Sequence, residues 1–227
     1  MQTYLITGAA QGLGKTLSRQ LVEKGHQVIL LDKELKALNA LHDELNSELV
    51  ALYPLDLLGA NIDHYQALQE TITAEYGQLN GVILNAAILP AFTPIENFDY
   101  MQWYEVLHTN LNANFHLIQN TLDLLKKTEN GKLLAVLDQN INLHPAYYGA
   151  YGVAKAGLEQ LMITVAAEHK NTSLEVYNAK LETFATESRG RLFPGENPLD
   201  LPSAETMAQC ILDSLLQSKP HPSILKL

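Results

Sequence analysis

A single doubly wound α/β domain, with a mostly parallel seven-stranded sheet and helices on both faces, is the fold that this 227-residue sequence predicts. Three observations carry that reading. Short apolar runs alternate with amphipathic stretches along the chain, which is the β-α-β pattern of a parallel sheet. Runs such as QVILLD are continuously apolar, as suits strands covered on both faces. No internal repeat, low-complexity tract or linker interrupts the pattern, so residues 1–227 read as one domain.

The elements follow in order. TYLIT is the first strand, and GLGKTLSRQLVEKG is a helix in which Leu13, Leu17, Leu21 and Val22 recur at three to four residues. Gly25 stands where a left-handed C-terminal cap belongs. QVILLD, the helix KELKALNALHDELN and the strand LVALYPLD complete the first half. A helix near Asp63–Tyr76, the strand GVILNAA, a loop with Pro90 and Pro94, and one long helical stretch from about Asp99 to Lys127 come next. The strand KLLAVLD ends in Asp138 and is followed by a loop and a helix over Tyr151–Glu168, then by the strand SLEVYNA. Residues 180–202, with three prolines and two glycines, read as a mobile lid within the domain. Ser203 is placed to cap a last helix, and HPSILKL to add an edge strand.

Composition excludes several classes of function. Hydrophobic residues at 47% and charged residues at 18% describe a folded globule rather than a disordered chain. A formal net charge of -10 repels phosphate backbones and anionic lipid, which argues against nucleic acid or membrane as partner. Cys210 is the only cysteine, so no internal disulfide forms. MQTYLITGAA has no basic region leading into a long apolar run, and nothing later approaches ~18 uninterrupted apolar residues, so the expected location is cytoplasmic. His108 and His116 lie on one helical stretch with no third ligand in view, and no metal is expected.

The chemistry-bearing motifs begin at TGAAQGLG, Thr7–Gly14, directly after the first strand. Gly8, Gly12 and Gly14 permit a tight turn and a close backbone approach, so that this turn, with Gln11 and Leu13, can hold a pyrophosphate at a helix N-terminus. Asp32 ends the second strand where an acid would bond the adenosine ribose and repel a 2'-phosphate. That favours NAD(H), while Lys33 keeps NADP(H) open. Tyr151 and Lys155, four apart, share one helix face, so an ammonium can lie near a phenol. Bringing a phenol from ~10 to ~7 takes roughly 4 kcal/mol, which a nearby cation in a partly dry site can supply.

The spacing T-G-x-x-x-G-x-G, joined downstream by Y-x-x-x-K, resembles the short-chain dehydrogenase/reductase family, whose domain is of the Rossmann type. The resemblance covers residues 3 to about 180. It implies that Asp56 and Leu57 of the LDL segment contact the adenine, and that LNAA, with Asn85, Ala86 and Ala87, lies beside the cofactor. It makes Asn110 the asparagine that keeps a water path, Lys155 the holder of the nicotinamide ribose, and Tyr151 the general acid/base. The implied activity is NAD(P)-dependent hydride transfer to or from a small alcohol or carbonyl compound, in a homodimer or homotetramer.

The sequence also departs from the family's pattern. Asp138 stands thirteen residues before Tyr151, where the family has a serine that donates to the substrate oxygen. An ionised Asp138 would accept only and raise the phenol pKa; a protonated one could donate; a third option is pairing with a cationic substrate or with Lys155. Ala87 replaces a glycine, and KLETFAT takes the place of the usual P-G after the sixth strand, although Thr183 or Thr186 could still contact the carboxamide. A dinucleotide-binding pseudoenzyme, acting as redox sensor or scaffold, is the alternative reading. His144, Tyr147 and Tyr148 are candidate walls of a substrate pocket.

Overall fold

The computed structural model describes residues 1–143 and 145–216, except the side chain of Ser188, and the backbone of 223–226. Seven strands, β1 (Thr3–Thr7), β2 (Gln27–Asp32), β3 (Val50–Pro54), β4 (Gly81–Leu84), β5 (Lys132–Asp138), β6 (Glu175–Leu181) and β7 (Ser223–Lys226), form one sheet in the order β3-β2-β1-β4-β5-β6-β7. The expected seven strands are present, and every neighbouring pair is parallel. Strand order reverses between β1 and β4, which opens a crevice at their C-terminal ends.

Helices cover both faces. On one, α3 (Ile62–Tyr76), α5 (Ala113–Lys126) and α6 (Gly149–Glu168) bring Leu68, Leu117 and Leu158 against Leu5, Val82 and Leu133. On the other, α1 (Gly12–Glu23), α2 (Leu35–Leu45) and α8 (Ala204–Leu216) bring Leu17, Leu38 and Ile211 against Tyr4, Ile6 and Leu134. Neighbouring residues of a strand thus enter opposite cores, which is why the strands are apolar without alternation. Gly25 has φ +78, the left-handed geometry expected of it, and Ser203 Oγ accepts from Thr206 N at 3.2 Å at the start of α8.

Two boundaries differ from the expectation. The stretch from Asp99 to Lys127 is not one α-helix: α4 (Tyr100–Leu107) passes through a π-helical turn, His108–Asn112, before α5 begins. Asn110 sits in that turn with its amide committed to the main chain of Ile88, a constraint that periodicity cannot show. The irregular segment expected over 180–202 as a lid also starts later, because pairing with β5 carries β6 as far as Leu181. The remainder contains α7 (Glu187–Leu192) and a 3-10 turn at Pro198–Asp200, and Ala185 N bonds Pro202 O at 2.9 Å, tying its two ends together. Among the described residues no helix is long and apolar enough to cross a membrane, and no cluster of three metal-ligating side chains occurs.

Candidate active site

The crevice has a volume of about 580 Å³. Its floor is the turn between β1 and α1, where Gly8 and Gly12 have φ +64 and +50. A Cβ at Gly14 would lie 2.0 Å from Gly8 O, so α1 can start against the turn only with glycine there. Thr7 and Asn85 lock this geometry. Thr7 Oγ1 accepts from the backbone N–H of Asn85 and of Ala86, each at 3.0 Å, while Asn85 Nδ2 donates to Thr7 O at 3.0 Å and Gly8 O at 3.1 Å. The end of β4 is thereby fastened to the phosphate-type turn, and the Asn85 amide is occupied in doing so. Of the residues expected at a cofactor, all but Gly14 line the crevice.

At the end of the crevice beside β2, where the sequence leads us to expect the adenosine, Asp32 Oδ2 accepts from Ala10 N at 3.0 Å and Oδ1 from Glu34 N at 3.1 Å. Asp56 Oδ1 accepts from Leu58 N at 3.1 Å. Lys33 lines the same end. Thr109, the residue before Asn110, lines the crevice with its hydroxyl buried and unbonded among the described residues.

At the other end, Asp138 from the tip of β5 and Tyr151 and Lys155 from the first turns of α6 share the wall. Lys155 Nζ donates to Val136 O at 2.7 Å and lies 5.9 Å from the Tyr151 ring centre. Burial draws the lysine pKa down to about 8, and the Asp138 charge partly resists. Burial first, then the Asp138 carboxylate acting by charge and as a hydrogen-bond acceptor, push the Tyr151 phenol well above its ordinary value. The lowering toward neutrality expected from Lys155 is not seen: the ammonium is turned to a backbone carbonyl, and burial and Asp138 raise the phenol pKa instead. Asp138 Oδ1 also accepts from Asn140 N at 2.8 Å, and Asn140 Nδ2 donates to Thr183 Oγ1 at 3.2 Å, joining the end of β5 to the base of the lid. Asn110 does not line the crevice: it is fully buried behind it, with Oδ1 accepting from Ile88 N at 2.7 Å and Nδ2 donating to Ile88 O at 2.8 Å.

Of the expected pocket walls, Tyr148 lines the crevice, Tyr147 does not, and His144 lies outside the described residues. Thr183 and Thr186 both reach it, the latter also capping α7 through Arg189 N at 3.0 Å. Phe92, Phe193, Arg189 and Arg191 complete the lid side and were not singled out from the sequence. Phe92 stacks on Tyr148 at 4.9 Å and meets Phe193 at 5.4 Å, so rings from three separate loops close one wall. The sequence did hold a signal for the arginines: Arg189 and Arg191 are two of only three in the chain.

A sequence model described as short chain dehydrogenase matches residues 2–197. The chain is 30% identical over 200 residues, 87% of its own length and 79% of the relative's, to the oxidoreductase YciK of Escherichia coli. Among solved structures, it is similar to an Escherichia coli short chain dehydrogenase complexed with NADPH (TM-score 0.88, 29% identity, 94% of this chain and 89% of the other). A Shigella flexneri short chain dehydrogenase complexed with NADP is also similar (TM-score 0.86, 29% identity, 90% and 86% covered). These neighbours hold the phosphorylated dinucleotide, so the preference for NAD expected from Asp32 receives no support from them.

Proposed function

The chain belongs to the short-chain dehydrogenase family, and from that premise we propose that it is a nicotinamide-dinucleotide-dependent oxidoreductase that reduces a carbonyl group, with Tyr151 as proton donor. The observation that carries this reading is that Tyr151 and Lys155 open into the same crevice as the Gly8–Gly12 turn. The residues fit such a cofactor. Gly8 is packed so closely on Ala86 that a Cβ would sit 2.9 Å from its Cα, leaving the backbone bare toward the crevice, and the Thr109 hydroxyl awaits a partner.

When bound, the dinucleotide supplies the hydride. The turn's N–H groups and the N-terminus of α1 would hold its pyrophosphate. Lys155, with a pKa of about 8, is mostly protonated at neutral pH and would give hydrogen bonds to ribose hydroxyls. Tyr151, with its pKa raised, holds its proton at neutral pH, so the proton needed by a carbonyl oxygen is in place while the same shift makes the phenol a weaker acid; alcohol oxidation would need the phenolate that Asp138 disfavours. Asn110 acts by holding Ile88 beside the cofactor rather than by touching substrate. For the cofactor itself we propose NADP(H), supported by the solved neighbours and by Lys33; Asp32 already accepts from the amides of Ala10 and Glu34.

A panel of ketones and aldehydes with NADPH tests the reading. Turnover that Tyr151→Phe abolishes supports it. A cofactor-binding protein that turns over nothing on the panel supports the second reading, a pseudoenzyme, which the carboxylate at Asp138 in place of a hydroxyl donor favours. A homodimer or homotetramer is part of the proposal, supported by exposed Tyr100, Met101 and Tyr104 on α4 and Phe115 on α5; light scattering measures it.

A further inference from the structure

The lid of this crevice carries a cationic feature that hydride transfer does not use. The chain has three arginines against twelve lysines, and two of the three stand at Arg189-Gly190-Arg191 on α7, both lining the crevice of a protein with net charge -10. The third, Arg19, pairs with Glu44 on the surface at 2.6 Å. Guanidinium is the side chain suited to planar, two-pronged recognition of oxyanions.

The location of Arg189 fixes which end of the crevice it serves. Its guanidinium lies 4.3 Å from the centre of the Phe193 ring, Phe193 meets Phe92, Phe92 stacks on Tyr148, and Tyr148 lies 5.9 Å from Tyr151. The positive charge also acts on Tyr148, opposing burial and the Asp138 charge there. Arg189 therefore belongs to the Tyr151 end, away from Asp32 and Lys33. The structure already shows it holding a carboxylate with both prongs: Nε donates to Glu196 Oε2 at 2.6 Å and Nη2 to Oε1 at 2.5 Å, at a partly exposed position on the lid itself.

Resting on the oxidoreductase reading above, we propose that the substrate is an oxo acid whose carboxylate is bound by Arg189 and Arg191, the Arg189 guanidinium exchanging its carboxylate partner Glu196, which stands outside the crevice lining, for that of the substrate. Phe92, Tyr148 and Phe193 would flank the carbon skeleton between the carboxylate and the carbonyl at Tyr151. Asp138, which acts on the Tyr151 phenol, keeps a second anion from settling beside it and so orients the acid outward, toward α7.

The test pairs each of a series of oxo acids with its methyl ester, in NADPH. The acid should have a KM about tenfold or more below that of its ester, and Arg189→Gln and Arg191→Gln should raise the acid's KM by a similar factor, several times more than the ester's, with NADPH affinity unchanged. Arg189→Lys should recover only part of the loss. Glu196→Gln separates recognition from lid architecture: it should lower the acid's KM, whereas a purely structural ion pair makes it behave like Arg189→Gln. Equal KM for acid and ester, NADPH binding weakened by the arginine variants, or a raised KM in Glu196→Gln each overturns the proposal. Calorimetry of benzoate and benzamide against the NADPH-loaded protein gives a readout free of turnover. Benzoate binding lost in Arg189→Gln, with no carbonyl compound reduced, leaves the anion site standing and removes the oxidoreductase reading. Reduction of neutral carbonyls without benzoate binding does the reverse, and failure of both removes both.

Discussion

Lys155→Met should stabilise the cofactor-free protein. The ammonium is buried, and its pKa falls from 10.5 to about 8, a shift that corresponds to about 3 kcal/mol against the charged form in the folded state. Methionine keeps most of the stem and removes the charge; the lost charge-assisted bond to Val136 O gives back about 2 kcal/mol, so the net gain at neutral pH is about 1 kcal/mol. The sign of the pH dependence follows from linkage. Below about pH 8 both folded and unfolded lysine are protonated and the whole penalty is present. Between about pH 8 and 10.5 the unfolded chain holds the extra proton, so wild-type stability rises with pH relative to the variant until the advantage of Met is gone. The raised Tyr151 phenol acts in the opposite direction, but only above about pH 10, and it is common to both proteins. Urea unfolding of the two proteins at intervals from neutral pH to about pH 10 measures the difference. A difference that stays constant with pH, or a variant less stable at neutral pH, refutes the desolvated-lysine reasoning.

Gly14→Ala places a methyl 2.0 Å from Gly8 O and 2.7 Å from Asn85 Nδ2, so a loss of about 2–4 kcal/mol in stability and at least ~tenfold in NADPH affinity is expected; denaturation and calorimetry check them. Asp32→Ser removes a negative charge from the adenosine end and should raise the ratio of NADPH to NADH affinity by about tenfold; an unchanged ratio places Asp32 outside cofactor selection. Asp138→Ser removes the charge that helps hold the phenol proton, so the alkaline limb of the kcat–pH profile should move to lower pH, and an unmoved limb means Asp138 does not act on Tyr151.

The sheet was legible because its physical cause is local. Continuous apolar runs such as QVILLD could be buried only between two helical layers, and Tyr4 and Leu5 do enter opposite cores. The glycine turn after β1 was legible for a similar reason, since Gly8 and Gly12 are needed for their positive φ and Gly14 for its contact with Gly8 O. What escaped depends on contacts between distant segments. The π turn at Asn110 is fixed by Ile88, twenty-two residues away, and the commitment of the Asn85 amide by Thr7 and Gly8, more than seventy away. The direction of the phenol shift required knowing that Lys155 faces Val136 O while Asp138 faces Tyr151. Arg189 and Arg191 lay inside a segment read only as a lid, where neither periodicity nor spacing indicates which side chains turn inward.

Hydride transfer governed by Tyr151 is the centre of this account, and isotope transfer tests it most directly. NADPH deuterated at the nicotinamide C4 is incubated with the protein and an oxo acid, and the product is examined by mass spectrometry. Deuterium at the former carbonyl carbon, delivered by wild type and lost in Tyr151→Phe with NADPH binding intact, is the predicted result. Tight NADPH binding with no label in any product would contradict it, leaving the crevice a cofactor cradle without chemistry.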